Sequence, residues 1–123
     1  MVKHKKVLDN IISLLKTQGA SAVVLAKIAD IVVDERVRLK CRVPVCDSYN
    51  KNLMCPPYVP SVAEFREALN NYKQAILLQV SAELHETCAN APVAGVFIPA
   101  RKLHELVNLG EREAFAAGFR FAA

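Results

Sequence analysis

Three of the four cysteines, Cys41, Cys46 and Cys55, fall in one eighteen-residue stretch, CRVPVCDSYNKNLMCPPY, with three of the six prolines. Their spacing is C-x4-C-x8-C, followed at once by Pro56 and Pro57. Cysteine is usually a scattered, buried, small hydrophobe, so three in one irregular loop point to chemistry. Thiolates bind soft or borderline metals: zinc, copper(I), and iron in iron–sulfur clusters. Zinc sites in small domains bring their ligands as C-x2-4-C pairs on a tight knuckle, and no second pair of that kind exists here. A cluster is wider than a single ion and tolerates wider spacing. Proline after a ligating cysteine, as in Cys55-Pro56, also recurs in bacterial ferredoxin motifs. The spacing therefore favours an iron–sulfur cluster over zinc.

In that reading Cys41, Cys46 and Cys55 are ligands, and Pro56 and Pro57 fix the loop and limit water access. Lys40 and Arg42, with Arg38 and Lys51 nearby, would offset the negative charge of a thiolate-ligated cluster. Three thiolates leave one iron of a 4Fe-4S cubane open. Cys88, or His85 three residues before it, is the candidate fourth ligand. A second reading is a structural zinc domain that contacts partners through its basic row. A third is a thiol redox enzyme in which Cys41 and Cys46 cycle between dithiol and disulfide.

The elements that must position this loop follow from periodicity. Val7, Leu8, Ile11, Ile12 and Leu15 share one face of a helix over Lys5 to Thr17, and Gly19 stops it. AVVLAKI, Ala22 to Ile28, reads as a buried strand, and Ile31 to Val33 as the start of another. Val37, Leu39, Cys41 and Val43 alternate with Arg36, Arg38, Lys40 and Arg42, which predicts an extended strand with one apolar and one cationic face. Beyond the cysteine loop, Ser61-x-x-Glu64 is a capping box that opens a helix with Val62, Phe65, Leu69 and Tyr72 inward. Gln74 to Ser81 is a central-strand pattern, and Ala94 to Ile98 a further short strand. Pro99 suits the first turn of a last helix over Ala100 to Ala117, with Leu103, Leu106, Val107 and Ala114 inward and Gly118 ending it. FRFAA reads as a strand cut short, so the chain reads as truncated at its C-terminus. The expected fold is a single α/β (α+β) sandwich domain over residues 1–123: a mixed sheet of four to five strands, three main helices and the cysteine loop.

With 53% hydrophobic and 23% charged residues the chain is neither disordered nor membrane-like. No apolar run approaches the roughly 18 residues that span a bilayer. The basic start MVKHKK leads into an amphipathic segment containing Asp9 and Asn10, unlike a signal peptide. A cytoplasmic location follows, where clustered cysteines are metal ligands or redox groups rather than disulfides. The net charge of +4 is mild. The Arg36–Arg42 row has only Tyr49 and Tyr58 nearby for base stacking, which argues against nucleic acid. His104, Glu105, Glu111 and Glu113 read as a solvated helix face. No glycine-rich phosphate loop and no Ser-His-Asp arrangement is present.

The runs VRLKCRVPVCDSYNKNLMCPPYVPSVAEFREAL, QAILLQV and KLHELVNLGEREAFAAGF resemble a prokaryotic family of predicted metal-binding proteins, a domain of unknown function. The likeness extends from about Ile31 to Phe119. It implies that Cys41, Cys46 and Cys55 form the first half of a metal or iron–sulfur site, completed by cysteines beyond the last helix. It implies no reaction. The expected role is electron transfer or cofactor handling, with a redox or metalloenzyme partner.

Overall fold

Helix α1 (Val2–Thr17) opens the computed structural model, which describes residues 2–83 and 92–123. The described elements then run β1 (Ala22–Lys27), a 3-10 turn at Ile28–Asp30, a second at Glu35–Arg38, and the short helix α2 (Leu39–Arg42). They continue with α3 (Val62–Leu69), β2 (Gln74–Gln79) and α4 (Pro92–Ala116). Two compact units result: Met1–Leu25 with Ile76–Ala123, and Ala26–Ala75.

The first unit is built on the stripe expected of α1. Ile11 and Leu15 are buried, and Val7 and Ile12 pack beside them. From α4, Leu106 and Ala114 reach the same core. Val23 of β1 closes it with Ile76 and Leu78 of β2. The strands pair antiparallel, since Ser21 N–H donates to the Gln79 carbonyl at one end and Ile28 N–H to that of Lys73 at the other. Alternation then sends Val24 and Leu77 to the open face, where both are exposed.

Gly19 and Gly118 end α1 and α4 in the same way. Each has positive φ, 110° and 104°. The following N–H reaches back five residues, Ala20 to the Leu15 carbonyl and Phe119 to that of Ala114, so both ends are Schellman motifs. A Cβ on Gly118 would meet nothing within 4 Å, so its substitution tests backbone conformation alone. Gly118→Ala is expected to cost about 1 kcal/mol in chemical denaturation, from left-handed backbone strain.

The second unit is held differently. Val62 is its one buried apolar residue among those described, while Val37, Leu39, Val43, Val45, Leu53 and Met54 are exposed. Arginine-to-backbone ties take the place of a core. Arg38 donates to the Pro60 carbonyl and Arg66 to that of Val33, the latter at 3.1 Å.

Several expectations are corrected. The described residues contain two strands, not four or five, in an α+β arrangement with four helices. Arg36 to Arg42 is not extended: it lies across the second 3-10 turn and α2, and only Val43, which ends α2, has extended angles. Asp34 caps that turn by accepting the Arg36 N–H at 2.8 Å, which starts helical geometry where alternation suggested a strand. Residues 31–33 carry no strand, and FRFAA holds a turn at Arg120 and Phe121 and no strand. Ala94 to Ile98 is part of α4, and Pro99 sits inside that helix instead of opening it. A five-residue apolar run fits a strand or a helix equally, and length alone decides between them. Val107 and Phe65, expected inward, are 41% and 50% exposed.

Candidate metal centre

The cysteine loop is a chain of turns closed by its own backbone. Val43 N–H returns to the Leu39 carbonyl at 2.8 Å, ending α2, and Arg42 and Val45 form an isolated antiparallel bridge. Cys46 N–H then donates to the Cys41 carbonyl at 3.0 Å, so the first two cysteines are joined through their main chain. Tyr49 N–H donates to the Cys46 carbonyl, also at 3.0 Å. Asn50 takes positive φ (58°), which asparagine tolerates better than most residues. Its N–H crosses the loop to the Pro56 carbonyl at 2.9 Å, and its side-chain oxygen accepts from the Tyr58 hydroxyl at 2.9 Å. Cys55 N–H donates to Asn52, and the Cys55 carbonyl accepts from Tyr58. Val43–Pro44 and Pro56–Pro57 are cis.

Each of the three cysteine carbonyls is thus engaged within the loop. The thiols are all free: Cys41 and Cys55 are half-buried, and Cys46 is exposed. Among the described residues no three His, Cys, Asp or Glu side chains are gathered closely enough to hold a metal ion. The chain path therefore anchors all three cysteines by their backbones without gathering their side chains into one group of three. The donor chemistry fits a thiophilic metal: three unpaired thiols on one turn-rich loop, with Lys40 and Arg42 free of side-chain partners among the described residues. His85 and Cys88 lie outside the described residues.

Cys41 also lines a groove of about 400 Å³, together with Arg38, Arg42, Tyr49, Pro56 and Pro57. Glu35 and Glu64 bring carboxylates to it that sequence reading does not assign. The available signal for Glu35 was Asp34, the turn cap just before it. Glu64 is fixed by the capping box: Ser61 N–H donates to Glu64 Oε2 at 2.7 Å, and Ser61 Oγ accepts the Glu64 N–H at 3.1 Å. His104, Glu105, Glu111 and Glu113 are exposed on α4, and Glu105 accepts from Arg101 at 3.2 Å, an ordinary solvated face.

Over residues 25–123 the chain matches the family model described as predicted metal-binding protein, DUF2284. The chain belongs to that family. No curated protein and no solved structure matches it. In this DUF2284 chain the matched span holds the whole cysteine loop, both strands from Leu25 onward, and α4. No helix among the described residues is long and apolar enough to cross a membrane.

Two carboxylates near the loop are held below their ordinary range. Hydrogen bonds from the Arg36 side chain and then its N–H lower Asp34, with Arg66 adding a smaller pull. The Ser61 backbone N–H, and then its side chain, lower Glu64. A depressed carboxylate contributes stability above its unfolded value and loses it as pH falls through the folded one. The turn at Asp34 and the first turn of α3 are thus expected to loosen on acidification from the ordinary values, 3.8 and 4.5, through the lower folded ones. Acid titration followed by amide exchange checks this. Glu64→Gln, which keeps a capping box but no charge, is expected to flatten the response of α3.

Proposed function

We propose that this protein binds an iron–sulfur cluster through Cys41, Cys46 and Cys55 and serves electron transfer or cofactor handling. The observation that carries the reading is three free thiols on one loop whose turns tie each cysteine by its main chain. The build of the unit supports it. Ala26–Ala75 has one buried apolar residue among those described, and a bound metal would add a staple to it. The three loop thiols form no disulfide, so they remain available to a metal.

Each cysteine would donate a thiolate sulfur, with Cys88 or His85 as the fourth ligand of a 4Fe-4S centre. Pro56 and Pro57 stiffen the chain beside Cys55 and offer no N–H to the sulfurs. Lys40 and Arg42, flanking Cys41, would hold positive charge against the thiolates. When bound, the cluster would supply one-electron chemistry at a potential set by charge, hydrogen bonds and exposure. A prokaryotic cytoplasm suits such a site, with a redox protein or a metalloenzyme as partner.

A single zinc ion in a structural interaction domain is the second reading. The exposed apolar side chains beside the unpaired Lys40 and Arg42 favour it, since together they make a contact surface. Anaerobic purification separates the two. Brown protein with iron, acid-labile sulfide and broad visible charge-transfer absorbance is the expected result. Colourless protein with about one equivalent of zinc that unfolds on chelation would replace it with the second reading.

A further inference from the structure

The groove beside Cys41 carries two opposite charges that do not meet. Arg42 and Glu35 both line it, yet neither has a side-chain hydrogen bond or ion pair among the described residues. Its other two charged groups are each tethered by the main chain: Arg38 donates to the Pro60 carbonyl, and Glu64 accepts from the Ser61 N–H. Pro56, Pro57 and Val59 make an apolar floor, and among the described residues the Tyr49 hydroxyl has no partner. A volume of about 400 Å³ lies within the range of small-molecule sites.

Charge decides the ligand class. A simple anion would satisfy Arg42 and be repelled by Glu35, and a simple cation would meet the reverse. We propose that this groove binds a small zwitterion of the α-amino-acid class, its carboxylate on Arg42, its ammonium on Glu35 and its side chain over Pro56, Pro57 and Val59. Carboxylate on guanidinium is the stronger contact because two parallel N–H groups can share it. The groove borders the proposed metal loop and shares Cys41, Arg42, Pro56 and Pro57 with it, but Glu35, Tyr49 and Val59 have no part in the metal reading, so the two are tested separately.

The test titrates the full chain with L-phenylalanine, 3-phenylpropionate and 2-phenylethylamine, following backbone amide shifts. L-Phenylalanine is expected to perturb Glu35, Arg42, Tyr49 and Val59 saturably. Each analogue lacks one charged group and should bind roughly tenfold or more weakly. Arg42→Ala is expected to weaken L-phenylalanine by roughly ten- to hundredfold. Glu35→Gln should weaken it less while leaving 3-phenylpropionate unchanged or tighter, a split that misfolding would not produce. Equal binding of 3-phenylpropionate and L-phenylalanine overturns the proposal, as do shifts confined to other residues or no saturable shift. Metal content of the same sample is read separately, so either reading can fail alone.

Discussion

Truncating Leu106 to alanine is expected to lower the unfolding free energy by about 2–5 kcal/mol, as large a loss as a single buried leucine in this core can give. Leu106 is 2% exposed and Leu15 1%, and these are the largest fully buried side chains among the described residues. They belong to α4 and α1, the two helices that enclose the core with Val23. Removing Leu106 takes away its transfer free energy and leaves a cavity that Leu15, Ile11 and Ala114 can only partly fill. Domains of this size carry about 5–15 kcal/mol in total, so the change is large enough to move the melting temperature by many degrees. Val107, the next residue on α4, is the control: at 41% exposure its alanine variant should stay within about 1 kcal/mol. Equal losses at both positions in urea denaturation would show that α4 packs by another face.

What could be read from the chain sorts by the range of the interaction. Gly19, Gly118 and the Ser61–Glu64 box were legible because each cap is settled within one turn. The α1 stripe was legible because a sixteen-residue helical period has one good solution; the two six-residue strands were placed, but as the edges of a two-stranded sheet rather than as buried or central strands. Arg36 to Val43 misled because alternation states which sides differ, not whether a neighbouring strand exists. With no partner to pair with, the Asp34 cap and the Val43–Leu39 hydrogen bond wound that segment into two short turns. The same winding sends Cys41, Arg42 and Glu35 to one groove, which no period-two pattern could place. For the site, sequence alone marked the three thiols but not Glu35 or Tyr49. Glu35 depends on the turn that Asp34 caps, and Tyr49 on how the turns between Cys46 and Pro56 fold back on themselves.

Replacing any one of Cys41, Cys46 and Cys55 with alanine is expected to reduce metal affinity by more than about a hundredfold. Loss of a mere outer-sphere partner costs about ten- to hundredfold, and a thiolate bonded to the metal contributes more. Linkage gives a readout that needs no activity. A ligand that binds only the folded chain at about a hundred times its dissociation constant adds about 2.7 kcal/mol of stability. The wild-type chain, reconstituted anaerobically with iron and sulfide or with zinc, should therefore melt higher than the untreated protein. The three alanine variants should gain little or nothing from the same treatment. Because Cys46 is exposed and Cys41 and Cys55 only half-buried, alanine there opens no sizeable cavity, so the unloaded variants should melt close to the unloaded wild type. That separates a ligand from a packing residue: a packing cysteine lowers stability with or without metal, a ligand only with it. Cys88→Ala in the same series decides whether that thiol is the fourth ligand. Full metal stoichiometry in any of the three loop variants would remove the loop as the centre.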